Sequence, residues 1–470
     1  MKKHLILSMM AVLCLTGCGG NASNGGKKGG KSSGGTVSGD ITLKAASCLS
    51  MMSENCQKYV DDMHEQHERL VADNPNADYY LNDLFGENGV DLTKGVVASS
   101  NENTNDGGYR ENPETDGNEY LDDVKAEWEK GEKSDENKGV EISFEVADSL
   151  KNKEYTISYS VNSDMSDAES FIVEETSARL KNLLVNQKYY YRVSVDGKNS
   201  AIGEFTTGDY PRWIDARPMF NVRDMGGYMT SSGKRIKQGL IYRGGEITNK
   251  SWNSGSSYRG DTGGRYVNSS NMMSDGHIKT QDDDNKSKDV FRDVMGMVNG
   301  LEIDLRNSSE TNGYPTTQNI CNFAIDGDIR YEVMSISSYD NGMKNNKTQI
   351  KKVFEAFAEA DEHPVYYHCY GGADRTGVVG FMLGALLGMS YTDLVIDFEL
   401  TSYSSNPSRN YRSHLRNGPY NYWPRMVKYL KNDLGWNSSK TIQESMKDFL
   451  KSCSISDETL NKISDIMLED

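Results

Sequence analysis

One short segment places a cysteine, a glycine-rich bend and an arginine where a phosphate group can be both held and attacked. It spans residues 368–377 and reads HCYGGADRTG. Cys369 supplies a thiol, and Arg375 supplies a planar, permanently charged guanidinium that matches two phosphate oxygens. Thr376 can donate a hydrogen bond to the thiolate. These residue types at this spacing predict nucleophilic chemistry on a phosphate ester.

The apolar residues on both sides of this segment predict how it is positioned. Residues 364–367 (PVYY) are typical of a short buried strand, and residues 378–387 (VVGFMLGALL) of a buried helix. A helix N-terminus presents unpaired N–H groups and the positive end of its dipole, so the bend should bind phosphate oxygens through its backbone. The same field should lower the pKa of Cys369 from its usual value of about 8.5. The predicted phosphate-binding positions are Tyr370, Gly371, Gly372, Ala373, Asp374 and Arg375.

The segment resembles the signature H-C-x-x-G-x-x-R-[ST]-G of the cysteine-dependent protein tyrosine phosphatase superfamily, and every fixed position is present. Residues 220–228, 239–243 and 301–306 resemble the leading motifs of its bacterial atypical members. The resemblance covers residues 210–470 and implies an α/β fold with a central, mostly parallel sheet flanked by helices. It also implies attack on phosphorus by Cys369, a phosphocysteine intermediate that water hydrolyses, and no metal or cofactor.

The resemblance also gives roles to three side chains around the thiol. His368 would orient Cys369 and help to set its pKa. Asp340 follows a predicted strand where tyrosine phosphatases keep a mobile acid loop, although the Trp-Pro-Asp form of that loop is absent. Asp374 directly precedes the loop arginine, as in many bacterial atypical members. Either aspartate could be the general acid that protonates the leaving oxygen.

The residue at position 373 bears on the substrate. Family members that act on phosphoinositides often have lysine there, whereas this chain has Ala373. This favours phosphotyrosine, in a protein or as a small phosphomonoester, with phosphoserine and phosphothreonine as further substrates. An inositol phosphate or phosphoinositide phosphatase is the alternative, with replacement cations from Lys344, Lys347, Arg223 or Arg243. A second alternative is a surface binding module whose catalytic loop is vestigial.

The N-terminus predicts a secreted, lipid-anchored protein. Two lysines precede an apolar run over residues 5–15, which is too short to span a bilayer. The run closes in Leu-Thr-Gly before Cys18, which resembles a bacterial lipobox. The resemblance implies removal of residues 1–17, lipidation of Cys18 and attachment to the extracytoplasmic face of a bacterial cell membrane. Residues 18–40 are rich in glycine, serine and lysine and predict a flexible tether.

The rest of the chain changes composition and periodicity several times. The predicted parts are a helical segment at 41–97, an acidic linker at 98–139, a β-sandwich at 140–208, and a catalytic domain at 209–470 with an insertion at 249–288. The sandwich resembles fibronectin type III domains through its leucine-containing turn at 180–183 and the Tyr-x-Tyr-x-Val strand that follows.

Composition narrows the possible partners. The net charge is −17 and the pI is near 5.0, so bulk charge gives no affinity for nucleic acid. Five cysteines remain after removal of the leader and lipidation of Cys18, which leaves at least one free thiol. Whether Cys48 and Cys56 pair stays open. His64 and His67 lie beside aspartates, and we expect them to be solvated rather than zinc ligands.

Overall fold

The computed structural model describes most of the chain that carries these patterns. The described residues are 27–28, 36–37, 39–72, 75–80, 136–216, 219–246, 294–297, 299–307, 329–404 and 422–470. The predicted leader, Cys18, most of the acidic linker and the whole 249–288 insertion lie outside them. Within the described ranges, no helix combines the length and the apolar character needed to cross a membrane.

Two mainly antiparallel sheets form the N-terminal half of the described chain. One has the order β1-β6-β5-β8-β9-β2, with β10 paired to β8, and the other has the order β3-β4-β7. Alternate side chains of both sheets are buried in shared clusters, where Phe144 packs with Ile157 and Val193. The strands are β1 (Lys27–Lys28), β2 (Thr36–Val37), β3 (Ile41–Leu43), β4 (Val140–Val146), β5 (Tyr155–Ser160), β6 (Glu169–Val173), β7 (Ser177–Leu180), β8 (Lys188–Val195), β9 (Lys198–Asn199) and β10 (Gly203–Thr206).

Some of these strands lie where the sequence indicates other structure. Strand β3 falls within the predicted helical segment 41–97 but pairs with β4. Strands β1 and β2 fall within the predicted tether 18–40 and pair with β6 and β9. Strand β6 has no clear alternation of apolar residues, so periodicity alone does not detect it. The sheets therefore include strands from segments outside the alternating strands that the sequence predicts.

A third sheet, with five strands, forms the centre of the C-terminal half, in the order β11-β12-β15-β13-β14. Strands β12 to β15 pair in parallel, and only the edge strand β11 is antiparallel. The prediction of a mostly parallel central sheet is therefore confirmed. Every residue of β12, β13 and β15 is buried, as expected for parallel strands covered on both faces. These strands are β11 (Arg223–Asp224), β12 (Ile241–Gly244), β13 (Leu301–Asp304), β14 (Arg330–Val333) and β15 (Val365–His368).

The helices of the C-terminal half pack around this sheet. Helix α4 is the central one, because twelve of its thirteen residues are buried and its sequence is apolar all round. Helices α7 and α8 begin at side-chain caps from Thr441 and Ser456. The helices are α1 (Glu54–Val71), α2 (Tyr339–Asn345), α3 (Lys347–Phe357), α4 (Arg375–Leu387), α5 (Tyr391–Glu399), α6 (Tyr422–Asn432), α7 (Ile442–Ser452) and α8 (Asp457–Met467).

Helix α1 packs against the C-terminal half although it precedes most of the N-terminal sheets in the chain. Its buried face joins the same hydrophobic cluster as helices α4 and α5, and Tyr59 stacks on Tyr403 with ring centroids 5.0 Å apart. His67 Nδ1 lies 2.8 Å from Asp78 Oδ2, which also accepts a 3.0 Å hydrogen bond from the Thr392 N–H. The helix is thus held by apolar and polar contacts together.

The cysteines near α1 do not form the pair that the sequence leaves open. Cys56 is a buried free thiol whose Sγ lies 3.5 Å from Met52 Sδ. Burial raises its pKa above the ordinary range. Cys48 precedes α1, whereas Cys56 lies within it.

Candidate active site

The glycine-rich segment bends from a central strand into the most buried helix. Strand β15 lies between β12 and β13, and His368 at its end is opposite Gly244 on one side and Asp304 on the other. Cys369 follows immediately and is 2 % exposed. Helix α4 begins at Arg375, three residues before the predicted apolar start, so Arg375 and Thr376 lie in its first turn. The predicted phosphate-binding residues are therefore all brought together at one helix N-terminus.

The surroundings of Cys369 favour a thiolate. Burial by itself raises the pKa of this thiol. The positive charge of Arg375 and the neighbouring hydroxyl and N–H of Thr376 lower the pKa more than burial and the Asp374 charge raise it, so the net shift is downward. The two other buried thiols differ, because burial raises the pKa of Cys453 to about 11 and that of Cys56 as well. Among the described cysteines, Cys369 has the setting of a nucleophile.

This contrast predicts selective alkylation. A lowered pKa leaves more thiolate at a given pH. The pH at which iodoacetamide alkylates Cys369 at half its maximal rate should therefore lie below about 8.5, the pKa of an ordinary thiol. Thr376→Ala removes a hydroxyl that lowers the pKa of Cys369 and should slow alkylation at pH 7 about tenfold. Mass spectrometry of the peptide that carries Cys369 measures both rates, with Cys453 as the internal control. A wild-type midpoint at or above that of a free thiol would contradict the expected direction.

Two side chains from the leading motifs turn the carbonyls of the bend away from the phosphate position. Asn221 Nδ2 donates to Gly371 O at 3.1 Å and to Gly372 O at 3.0 Å. Arg243 Nη2 donates to Gly372 O at 3.1 Å. Bonding these carbonyls outward favours an orientation in which the N–H groups of the bend face the space in front of Cys369. The motif residues thus shape the loop from behind.

Asp397 on helix α5 holds these side chains in place. Its carboxylate pairs with Arg243 and, at 3.3 Å, with Arg223 Nε, and its carbonyl accepts a 2.9 Å hydrogen bond from Arg223 Nη2. Arg223 in turn donates to Asn221 Oδ1. Both arginines are fully buried, and a buried charge of this kind requires a partner. Asp397 therefore supports all three hydrogen bonds to the glycine carbonyls.

Gly372 is required by its conformation and by its surroundings. Its φ is +64°, and a Cβ built on it would lie 2.4 Å from the carbonyl carbon and oxygen of Gly244. We expect Gly372→Ala to reduce phosphate release at least about 100-fold, because the backbone of the bend must shift. Gly233→Ala is the matched control: φ is +76° there but no atom lies within 4 Å of the added methyl, so it should cost only about 1 kcal/mol of stability. Activity and melting temperature of both variants test this, and equal behaviour would contradict it.

His368 supports the loop through its backbone. Its Nδ1 lies 2.9 Å from the carbonyl oxygen of Cys369 and its Nε2 lies 2.9 Å from Glu302 Oε1. Both neighbours are acceptors, so both ring nitrogens donate. Burial lowers the pKa of His368, but the charges of Asp304 and Glu302 raise it by more, so the net shift is upward. The described contact is to the Cys369 carbonyl rather than to its thiol.

The two candidate acids have different surroundings. Asp374 directly precedes α4, and the Tyr339 hydroxyl donates a hydrogen bond to its Oδ1. Asp340 lies in the first turn of α2 and not on a loop, which corrects the expected mobile acid loop. Its carboxylate pairs with Lys344 Nζ at 3.0 Å and with Arg425 Nη2 at 2.6 Å. The Arg425 pair joins α2 to α6, and the Lys344 pair lies within α2.

The four proposed replacement cations do not gather in front of Cys369. Arg223 and Arg243 are buried against Asp397. Lys344 pairs with Asp340, and Lys347 Nζ lies 3.1 Å from Ser452 Oγ. In the described arrangement, none of these four side chains therefore replaces the lysine that is absent at position 373.

A model of the tyrosine phosphatase family matches residues 214–257 and 282–469. The C-terminal region is thus similar to the tyrosine phosphatase family. The matched residues include the bend, the two arginines and the asparagine behind it, and Asp397. This match supports phosphatase activity in general terms and agrees with the mixed α/β structure. Among curated proteins, none matches the chain.

Several residues of the phosphatase domain that shape the site carry little signal in the sequence. Asp397 and Glu302 lie within apolar stretches, and a single carboxylate in such a stretch is the only hint that a buried cation needs a partner. Tyr339 is preceded by two serines and gives no pattern at all. Arg306 is bound to Asp304 and Glu246 and lies 5.9 Å from the Tyr370 ring, so it braces the start of the bend from the other side. In the described part of the chain, no group of three acidic, histidine or cysteine side chains could hold a metal ion.

Proposed function

We propose that the phosphatase domain hydrolyses phosphomonoesters through a covalent phosphocysteine on Cys369. The observation that carries the proposal is the lowered pKa of a buried thiol at the N-terminus of α4, next to Arg375. A thiolate in this position faces the same N–H groups that would bind three phosphate oxygens. Phosphorus would thus be held within reach of the nucleophile.

The proposed reaction has two steps. Cys369 Sγ attacks phosphorus and the ester P–O bond breaks, while Arg375 and the backbone N–H groups stabilise the charge on the equatorial oxygens. A water then attacks the phosphocysteine, which releases inorganic phosphate and restores the thiolate. Thr376 stabilises the sulfur as leaving group in this second step through its hydrogen bond. Neither step uses a metal or a cofactor.

Asp374 is the better placed of the two aspartates to protonate the leaving oxygen. It is on the loop itself and close enough for its charge to raise the pKa of Cys369. The carboxyl group of Asp340 is engaged by two cations, so it is less available to a leaving group than that of Asp374. We therefore assign Asp374 as the general acid and Asp340 as the anchor of α2.

Phosphotyrosine is the proposed substrate, in a protein or in a small phosphomonoester. Ala373 adds no cation to the loop, and Arg223 and Arg243 are occupied by Asp397. These positions would therefore offer few available cations to a substrate with several phosphates. Phosphoserine and phosphothreonine peptides are poorer substrates in this proposal, because their alkyl leaving groups depend more on the general acid.

The decisive experiment measures phosphate release by the protein from residue 40 onward on three substrates, with EDTA present. The substrates are a phosphotyrosyl peptide, a phosphoseryl peptide and an inositol phosphate, and Cys369→Ser serves as the blank. Release from the tyrosyl peptide that EDTA does not affect is the expected result. A preference for the inositol phosphate would replace the proposed substrate, and no release from any of the three would favour a binding module with a vestigial loop.

We further propose that the protein is a lipoprotein displayed on the extracytoplasmic face of a bacterial membrane. The support is the lipobox at Cys18, which lies outside the described residues. The N-terminal β-sandwich would be a fibronectin type III-like spacer, consistent with its paired sheets and its Tyr-x-Tyr-x-Val strand β8. Cys18→Ala should move the protein from the membrane fraction to the soluble fraction of the producing cell, and unchanged fractionation would exclude the anchor.

A further inference from the structure

Tyr339 makes a direct contact with the proposed general acid. Its hydroxyl donates a hydrogen bond to Asp374 Oδ1. The Tyr339 side chain is 3 % exposed, whereas Asp374 is half-buried, so the contact is partly buried. The two residues are far apart in the chain and meet only because α2 packs against α4.

The backbone at Tyr339 indicates that the side chain is directed to this position. Its φ is +56°, a left-handed conformation that a bulky residue rarely adopts. Such a conformation costs about 1 kcal/mol or more and persists only when the surrounding structure requires it. Here it lies at the start of α2, where it sends the ring towards the loop rather than along the helix.

The helix that carries Tyr339 is fixed on its other side. The neighbouring Asp340 pairs with Lys344 in the same helix and with Arg425 of α6. Met343 of α2 belongs to the main hydrophobic cluster together with Val378 of α4. The Tyr339 hydroxyl is thus held by a rigid element and not by a loop, which is what precise placement of a partner requires.

We propose that Tyr339 is a positioning residue for Asp374, an inference that rests on the proposed function of Asp374 as general acid. The hydrogen bond to Oδ1 fixes the rotation of the carboxyl group, so that Oδ2 carries the proton and faces the leaving oxygen. In the first step, the S–P bond forms, the P–O bond breaks and the Oδ2 proton passes to the departing oxygen. The Tyr339 hydroxyl stays bonded to the carboxylate that results, and water returns the proton in the second step.

The chemistry predicts a signature that depends on the leaving group. An alkoxide or a tyrosine phenolate needs the proton from Asp374, whereas p-nitrophenolate leaves readily without it. Tyr339→Phe should therefore reduce kcat about tenfold for phosphotyrosine and for an alkyl phosphate, and less than about twofold for p-nitrophenyl phosphate. A purely structural role would lower all three rates by the same factor.

The test combines Tyr339→Phe with Asp374→Asn over this series of leaving groups. Once the carboxyl is replaced by an amide, the hydroxyl has no acid to orient, so the double variant should have the same leaving-group dependence as Asp374→Asn alone. Tyr155→Phe is the matched control, because it removes a buried tyrosine hydroxyl that donates to Leu150 O at 2.9 Å in the N-terminal sheets. It should change none of the three rates. Tyr339→Met serves as a second variant without the hydroxyl if phenylalanine lowers the yield of folded protein.

The outcomes separate the two levels of the proposal. Equal losses on all leaving groups in Tyr339→Phe, with a steep dependence in Asp374→Asn, would overturn the role of Tyr339 and leave the acid assignment standing. No leaving-group dependence in Asp374→Asn would overturn both. Phosphate release that depends on Cys369 is untouched by either result, so the proposed phosphatase function is tested separately.

Discussion

Cys369→Ser should reduce phosphate release by about 10⁵-fold or more. The serine hydroxyl has the right size, but it stays protonated at neutral pH, whereas the structure lowers the pKa of the thiol. Initial rates on a phosphotyrosyl peptide, at concentrations above and below KM, measure the effect. Binding of the peptide should survive, because Arg375 and the backbone N–H groups of the bend remain.

Cys453→Ser is the control for this substitution. Cys453 is also a buried thiol, but burial raises its pKa to about 11, and it is not part of the bend. We expect unchanged kcat and KM. Substantial turnover in Cys369→Ser would mean that another group attacks phosphorus. Loss of peptide binding together with turnover would instead indicate that the bend has collapsed.

Arg375→Lys should have the second largest effect, a loss of about 10³-fold in kcat with a smaller change in KM. Lysine keeps the positive charge but loses the fork of donors that matches two equatorial oxygens, which develop their charge in the transition state. The loss of the guanidinium also weakens the field that lowers the pKa of Cys369, so the acidic limb of the pH–rate profile should move to higher pH.

Arg306→Lys provides a comparison for this variant. Arg306 is a buried arginine close to Tyr370, but its donors are taken by Asp304 and Glu246. It should lower the melting temperature while the pH–rate profile of the remaining folded enzyme keeps its position. If Arg375→Lys loses activity only through KM, Arg375 binds the ground state and does not stabilise the transition state preferentially.

The parts of the site that lie close together in the chain could be predicted from the sequence. The residues of the bend, 368–377, are consecutive in the chain. The apolar runs on either side of it are typical of a buried strand and a buried helix. The helix nevertheless begins at Arg375 rather than at residue 378, because polar residues in a first turn carry no apolar signal. The mostly parallel sheet is implied by the family resemblance of these motifs, and the structure has it.

The parts that depend on packing between distant segments could not be predicted. Asp397 meets Arg243 across 154 positions of the chain, and Tyr339 meets Asp374 across 35. Neither pair has a spacing that local periodicity can detect. Asp340 illustrates the same limit, since its position before the loop suggested an acid, whereas two cations from α2 and α6 define its surroundings.

Helix α1 changes what counts as the smallest independently folding piece of this protein. The family match begins at residue 214, yet Tyr59 and Met63 belong to the hydrophobic cluster that contains α4. Tyr59 stacks on Tyr403, in the 3₁₀ turn Leu400–Tyr403, whose Thr401 hydroxyl lies 3.2 Å from Asn221 Nδ2. A gene fragment that begins at the family boundary would expose this apolar surface. It would also lose the Tyr59–Tyr403 stacking, which supports the turn whose Thr401 contacts Asn221 behind the glycine carbonyls. The catalytic unit is therefore discontinuous in the chain, and truncation studies that start at the domain boundary would underestimate both its solubility and its rate.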